Sequence, residues 1–179
     1  MTFSAAIRTC FAKYFTFSGR ATRPEYWWFF LFIILGSAVC GVLDGLFFGA
    51  GSFEAEVTDT SFDASAQSNG PIASLFGMAT FVPTLAAGWR RMHDSGRSGL
   101  YLLYPMFAMF GLLAFIGFVA GFENLMSGDI PGLMAGGLGI IVVIALVIVA
   151  LSPLIVLFWL TRPTQAGENQ YGPNPHEVS

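Results

Sequence analysis

Residues 26–50 read YWWFFLFIILGSAVCGVLDGLFFGA, and this stretch decides the fold of the chain. It carries a single charged residue, Asp44, and is longer than the about 20 apolar residues that an α-helix needs to cross a membrane. Its aromatic start at Tyr26, Trp27 and Trp28 is typical of a helix that enters the bilayer at an interface. We therefore predict a transmembrane helix over this stretch.

Three further apolar runs follow, at residues 72–89, 99–121 and about 131–160. The chain is 55% hydrophobic and 11% charged, whereas soluble domains carry about 25% charged residues, so a water-soluble globule is excluded. The sequence predicts an all-α membrane protein, a single integral membrane domain over residues 1–179 with four transmembrane helices. Because the fourth run exceeds the bilayer thickness at about 1.5 Å per residue, we expect it to tilt, to bend at Pro153 or to begin outside the bilayer.

The segment before the first span, residues 3–17, has apolar side chains at the i, i+3, i+4 and i+7 spacing of an amphipathic helix. Such a phenylalanine-rich face with basic flanks lies well in a membrane interface, and it can equally pack on the protein's own helices. Both interpretations remain open from the sequence. Thr22 and Glu25 have capping-box spacing, and Pro24 is tolerated in a first turn, so the next helix begins there.

Charge is distributed unevenly along the chain. The segment 51–71 is polar and acidic without any Lys or Arg, which predicts an external loop. With four spans, both termini and the segment 90–98 share the other side of the membrane. That side holds all eight basic residues: Arg8, Lys13, Arg20, Arg23, Arg90, Arg91, Arg97 and Arg162. By the positive-inside rule we predict cytoplasmic N- and C-termini, with a cytoplasmic tail at 161–179.

Small residues recur at every fourth position of the first span, at Ser37, Gly41, Gly45 and Gly49. This spacing lets helix backbones approach closely. We expect the stripe to pack tightly within the chain. The alternative is a homo-oligomer in which Gly41, Gly45 and Gly49 face a second protomer.

Composition also bears on chemistry. A net charge of −3 argues against a nucleic-acid surface. Cys10 precedes the first span and Cys40 lies inside it, so we predict two unpaired thiols. His93 and His176 are the only histidines, and we predict no metal and no cofactor. The nucleophile-elbow, P-loop and dinucleotide patterns are absent, which favours a protein that is not an enzyme.

The densest charge lies in residues 90–99, RRMHDSGRSG. If the second span continues through this stretch, Arg90 and Asp94 are i, i+4 partners. Gly96 then ends the helix, and Ser98 caps the third span.

Three blocks carry a family pattern: AIRTCFAKYFTFSGRATRPEYWWFFLF at 6–32, the stretch 90–99, and GENQYGPNP at 167–175. The first matches through Gly19, Arg20, Arg23, Glu25, Tyr26 and Trp27, the second over its whole length and the third from Gly167 to Pro173. These blocks resemble the bacterial inner-membrane family called domain of unknown function 805. The resemblance implies a multi-pass protein of the bacterial inner membrane and supplies no activity.

We predict a cytoplasmic arginine-rich face that structures the bundle and binds an anionic lipid head group or a protein partner. Its residues are Arg20, Arg23, Arg90, Arg91, His93, Asp94 and Arg97. A purely structural interpretation is that the arginines, Glu25, Asp94 and Glu168 form a hydrogen-bonded collar across the helix ends. Asn169 and Tyr171 of the tail are expected to fold over this face.

The alternative function is a small transporter or channel subunit. Transporters usually place polar groups near the bilayer midplane. Asp44 lies about 27 Å along the helix from Tyr26, near the outer surface, which argues against an ion pathway through one protomer.

Overall fold

The structure is a computed structural model that describes residues 1–49, 52–57, 62–67, 70–121 and 137–177. Its helices are α1 (Phe3–Ala12), α2 (Arg23–Phe48), α3 (Ile72–Asp94), α4 (Tyr104–Ala120) and α5 (Gly137–Thr161), with a 3₁₀ helix at Gly99–Leu103 directly before α4. Among the described residues, four helical segments are long and apolar enough to cross a membrane, namely α2, α3, the 3₁₀ helix with α4, and α5. The predicted four-span helical membrane fold is confirmed. The start of the predicted fourth run, residues 131–136, lies outside the described residues.

The segment predicted as an acidic loop contains a two-stranded antiparallel hairpin. Strand β1 (Ser52–Val57) pairs with β2 (Phe62–Gln67), and the register joins Ser52 to Gln67 and Val57 to Phe62. The alternation of apolar and polar residues in SFEAEV and FDASAQ is the period-2 pattern of strands. The acidic composition, which is uncommon in strands, obscures that pattern in the sequence.

The chain divides into two compact units. The first comprises Met1–Gly51, Ser68–Leu102 and Leu157–Ser179, and the second comprises Ser52–Gln67 and Leu103–Val156. In the second unit, a small apolar core joins α4 to α5: Leu112, Ile116 and Val142, with Ala145 and Val149 packed against them.

In the first unit, α1 packs on α2 through aromatic edges. The Phe3 and Trp28 ring centroids lie 5.9 Å apart, and those of Phe11 and Phe29 lie 5.6 Å apart, both at the edge-to-face geometry that aromatic quadrupoles favour. Cys10 of α1 is fully buried. Of the two open interpretations of this segment, packing on the protein's own helices is therefore found, and a location in the membrane interface stays a prediction.

Helix α3 has its first turn capped by a side chain from α2. The carboxylate of Asp44 accepts hydrogen bonds from the backbone N–H of Ile72 at 2.9 Å and of Ala73 at 2.8 Å. No side chain of the preceding residue, Pro71, caps the helix, so Asp44 satisfies two of the free N–H groups of a helix start. Gly70 makes room for it, because a Cβ at that position would overlap the carboxylate.

The close approach of α2 and α3 occurs outside the predicted small-residue stripe. A Cβ at Gly36 would collide with the Phe76 ring, whereas one at Gly41 or Gly45 would meet no atom of the described residues within 4 Å. Within the described residues, close packing at Gly41 and Gly45 is therefore not found, and their packing within the chain stays a prediction. The position that needs a glycine is set by the bulky ring facing it, which helical spacing does not reveal.

The helix ends nearest the charged stretch form as the sequence predicts. Thr22 caps α2, and its side chain accepts a hydrogen bond from the Glu25 N–H at 3.3 Å. Helix α3 continues to Asp94, and Gly96 ends it with a φ of 77°. The N–H of Arg97 then returns to the Met92 carbonyl at 3.0 Å, the closing bond of a Schellman motif.

Candidate functional site

Asp94 is the centre of a buried polar cluster at the end of the first unit where α2 begins and α3 ends, which we call the basic end. Its Oδ1 accepts a hydrogen bond from Arg20 Nε at 3.0 Å. Its Oδ2 accepts one from Arg91 Nη1 and one from Thr164 Oγ1 at 2.7 Å. A buried carboxylate is tolerated only when it is paired and hydrogen-bonded. Asp94 therefore joins three segments: the loop before α2, the end of α3 and the tail after α5.

A second buried ion pair joins α2 to α3. Arg90 Nη1 lies 2.7 Å from Glu25 Oε1, and Arg90 Nε donates to the Ala86 carbonyl at 3.3 Å. The expected i, i+4 pair between Arg90 and Asp94 is therefore wrong. Arg91, three residues before Asp94, occupies that carboxylate instead, since i, i+3 neighbours also share a helix face.

Arg20 fastens the tail to the bundle. Its Nη1 donates to the carbonyls of Gly167 at 2.7 Å and of Gly172 at 3.3 Å, and its Nη2 donates to the Gln165 carbonyl. In return, the Gln165 N–H donates to the Asp94 carbonyl at 2.9 Å. Each nitrogen of the Arg20 guanidinium is thus engaged within the protein.

The last carbonyls of α5 are bound by two more arginines. Arg91 Nε donates to the Leu160 carbonyl at 3.0 Å, and its Nη2 donates to the Arg162 carbonyl. Arg23 Nε donates to the same Arg162 carbonyl at 3.0 Å. A helix C-terminus leaves carbonyls without intrahelical partners and carries a partial negative charge, so cations are favoured there.

His93 is covered by the tail. Its ring is stacked on that of Tyr171, with centroids 3.7 Å apart and an interplanar angle of 3°, and its Nδ1 lies 3.1 Å from the Gly19 carbonyl. Asn169 Nδ2 donates to the His93 carbonyl at 3.0 Å. The prediction that Asn169 and Tyr171 fold over the charged stretch is confirmed.

The remaining arginines of the basic end are more accessible. Arg97 lies over the Trp159 ring at 5.8 Å and Arg162 over the Phe158 ring at 5.4 Å, which is cation–π geometry. Arg23 is exposed. No carboxylate of the described residues lies within 4.0 Å of these three guanidinium groups.

Cys10 lies close to the Glu25–Arg90 pair. Burial raises the pKa of its thiol to about 11, helped by the negative charge of Glu25 and opposed by the positive charge of Arg90. The thiol is therefore protonated at neutral pH and is not a nucleophile there. Cys10 and Cys40 are both free thiols, as predicted.

The structure brings the predicted site residues to one end of the first unit but buries most of them. Buried are Arg20, Arg90, Arg91, His93 and Asp94, while Arg23 is exposed and Arg97 is partly exposed. Glu168, expected in the collar, is exposed, and backbone carbonyls take the place assigned to it. Carbonyls and the Thr164 hydroxyl were missed because they leave no signature in a sequence pattern. Within the described part of the chain, no three His, Cys, Asp or Glu side chains form a group able to hold a metal ion.

The sequence of this chain matches a protein family over residues 14–173, and that family is described as "Protein of unknown function (DUF805)". The chain belongs to the DUF805 family. The resemblance carried by the three sequence blocks is thereby confirmed. The matched range includes Asp94, its arginine partners, and Tyr171, which stacks on His93. The whole buried cluster therefore lies within the residues matched by the family.

Curated relatives place the family in a bacterial membrane. The chain is 32% identical to the inner membrane protein YhaH of Escherichia coli strain K12 over 91 residues, which is 51% of this chain and 64% of YhaH. It is 36% identical to the inner membrane protein YhaI of the same organism over 91 residues, 51% of this chain and 62% of YhaI. The matches span less than two thirds of either relative. No solved structure matches this chain. With its four apolar helices, this DUF805 member is a multi-pass protein of the bacterial inner membrane, as predicted.

Proposed function

We propose that this protein is a non-enzymatic inner-membrane protein that binds anionic phospholipid at its basic end, which faces the cytoplasm. The observation that carries the proposal is an imbalance of charge. Glu25 and Asp94 pair with the three buried arginines, Arg20, Arg90 and Arg91, whereas Arg23, Arg97 and Arg162 have no carboxylate of the described residues within 4.0 Å. Exposed arginines at a bundle end attract the anionic lipids of the cytoplasmic leaflet.

The buried arginines have a different task in this proposal. Every guanidinium nitrogen of Arg20 and Arg91 donates to Asp94 or to a backbone carbonyl. Both side chains are also buried, so neither is open to an external anion. They hold the helix ends and the tail together. The binding face predicted from the sequence thus separates into a structural collar and an exposed set of cations.

The proposal of a non-enzymatic role is supported by how the polar groups are used. His93 and Asp94 are adjacent in sequence but engage different partners, since His93 Nδ1 lies against the Gly19 carbonyl and both Asp94 oxygens bind donors on arginine and threonine. A general acid or base must come within hydrogen-bond reach of its substrate, whereas both of these side chains are buried among their partners. The transporter alternative has no specific observation in its favour, because the Asp44 carboxylate is occupied by the Ile72 and Ala73 N–H groups.

The test compares two lipids on the purified protein in mild detergent. Phosphatidylglycerol should raise the thermal unfolding midpoint more than phosphatidylethanolamine, because a ligand bound only by the folded state stabilises it. The difference should shrink in high salt, which screens exposed charges. Equal effects of the two lipids would contradict the proposal and favour a protein partner at the same end.

A further inference from the structure

Arg23 lies at one end of a groove of about 300 Å³ on the first unit, lined by Arg23, Pro24, Trp27, Trp28 and Leu31. Arg23, Trp27 and Leu31 follow one another at i, i+4 and i+8, so they share one face of α2. At about 1.5 Å per residue, the groove runs about 12 Å along the helix. Its charge is at the helix start, and its walls become apolar with distance from that charge.

The Arg23 side chain is held in place by one hydrogen bond, and its terminal N–H groups are not used within the described residues. Its Nε donates to the Arg162 carbonyl at 3.0 Å, which fixes the guanidinium at the mouth of the groove. Its two terminal nitrogens donate no hydrogen bond to any described residue. The positive charges of Arg23 and Arg20 both act on the nearby Arg91 guanidinium. An external anion at Arg23 would relieve this surplus of positive charge and accept a paired, charge-assisted hydrogen bond.

The two tryptophans give the groove its apolar walls. Trp27 is oriented by edge-to-face contact with Phe30 at 5.8 Å between centroids, and Trp28 by the same contact with Phe3 at 5.9 Å. Within the described residues, neither indole N–H has a hydrogen-bond acceptor. Tryptophans with one apolar and one polar edge are enriched at head-group level in membranes.

We propose that this groove binds one anionic phospholipid, and this inference rests on the proposed function while naming its site. The phosphodiester accepts hydrogen bonds from the terminal nitrogens of Arg23. The glycerol region lies against the indole of Trp27, and an acyl chain follows the face that ends at Leu31. A soluble phosphate would use the first of these contacts alone, whereas a phospholipid uses the whole length of the groove.

The experiment is native mass spectrometry of the full chain in mild detergent with equimolar phosphatidylglycerol and phosphatidylethanolamine. The test variant is Arg23→Gln, and the matched control is Arg8→Gln, which removes one exposed positive charge of α1 without touching the groove. We expect wild type and Arg8→Gln to retain one phosphatidylglycerol. Arg23→Gln should retain it about tenfold less well, equivalent to about 1.4 kcal/mol. Trp27→Phe, which removes the indole N–H, should weaken retention of the lipid by a smaller factor.

The outcomes separate the site from the proposed function. If wild type prefers phosphatidylglycerol and Arg23→Gln behaves like Arg8→Gln, the groove is the wrong site although lipid binding stands. If wild type shows no preference between the two lipids, both the site and the proposed function fail. Displacement of the bound lipid by millimolar inorganic phosphate would contradict the proposed contact between an acyl chain and the groove. Should Arg23→Gln not fold, Arg23→Lys keeps the charge but loses the two-nitrogen contact, and unchanged retention in that variant would contradict the proposed geometry.

Discussion

The Tyr14 hydroxyl donates a hydrogen bond to the Ala79 carbonyl at 2.9 Å. Pro83 lies four residues after Ala79 within α3 and has no N–H to offer that carbonyl. A hydroxyl from outside the helix thus replaces the missing helical bond. In α5, Pro153 likewise has no N–H for the carbonyl of Val149, four residues earlier. There the Oγ of Ser152, within the same helix, donates to the Val149 carbonyl at 2.7 Å. In an apolar surrounding such replacement is required, since no water can satisfy the carbonyl.

Replacing Tyr14 by Phe should lower the free energy of unfolding by about 1–3 kcal/mol, the cost of a carbonyl left without a donor in an apolar surrounding. The loss should be smaller in a Pro83→Ala background, where residue 83 regains an N–H for Ala79. An SDS titration of the four proteins of this double-mutant cycle measures both values. Tyr101→Phe is the control, because the Tyr101 hydroxyl donates no hydrogen bond to the described residues. Equal losses in the two backgrounds would show that the Ala79 carbonyl is not the relevant partner.

Asp94→Asn should be far more damaging than any exposed acidic change. It removes the carboxylate shared by Arg20 and Arg91, and breaking a buried ion pair costs about 3–5 kcal/mol. We expect a lower yield of folded protein and a lower thermal midpoint in detergent. Glu168→Gln, at an exposed position, is the matched control and should change stability by less than about 0.5 kcal/mol. Similar midpoints for the two variants would refute the central role of Asp94.

The Cys10 thiol should resist alkylation in the folded protein. In a Cys40→Ser variant, a maleimide should label Cys10 at pH 8 only after denaturation, because the thiol is fully buried and protonated. The raised pKa also predicts a pH dependence. The unfolded thiol has the ordinary pKa of 9.0, whereas burial raises the pKa of the folded thiol to about 11.

Cys10 therefore contributes no pH dependence below about pH 8, and the wild type should lose stability relative to Cys10→Ser as the pH rises from 9.0 to about 11. Unfolding of both proteins across this window measures the effect. Parallel stability curves, or rapid labelling at pH 8 before denaturation, would show that Cys10 is accessible to water.

The orientation of the bundle is open to a direct test. A cytoplasmic reporter fused after Ser179 should be active, and a periplasmic reporter at the same position should be silent, because all Lys and Arg residues lie on the predicted cytoplasmic side. The converse pattern would place the basic end outside the cell and remove the basis for lipid recognition in the cytoplasmic leaflet.

Local signals in the sequence predicted the local structure well. The spans, the Thr22 cap and the Gly96 stop follow from apolar length and from residues within one helical turn. The partners of the charges did not follow, because Arg20 and Asp94 are separated by 74 residues. A helical wheel drawn for α3 favours Arg90 as the partner of Asp94. Glu25 on α2 pairs with Arg90, and this leaves Arg91 as the arginine of α3 that pairs with Asp94.

The hairpin and the glycine contacts were missed for a related reason. Strand pairing of β1 with β2 depends on contacts across the segment, and the acidic residues obscured its alternating pattern. On α2, a Cβ at Gly36 would overlap the ring of Phe76, which lies opposite it. Spacing along one helix identifies glycines that permit a close approach, but the side chain on the facing helix decides which of them is used.

Asp44 has a consequence for how the protein is made. It is synthesised in α2, well before Ile72 and Ala73, the residues whose N–H groups later bind it. Until α3 emerges from the ribosome, the Asp44 carboxylate near the outer end of α2 lacks the two N–H groups that compensate its charge in the finished fold. We expect the translocon to release the two helices into the bilayer together, as a helical hairpin, and a chain arrested before residue 72 to stay within reach of a crosslinker on the translocon. The acid that holds the finished fold thus also sets the order of its assembly.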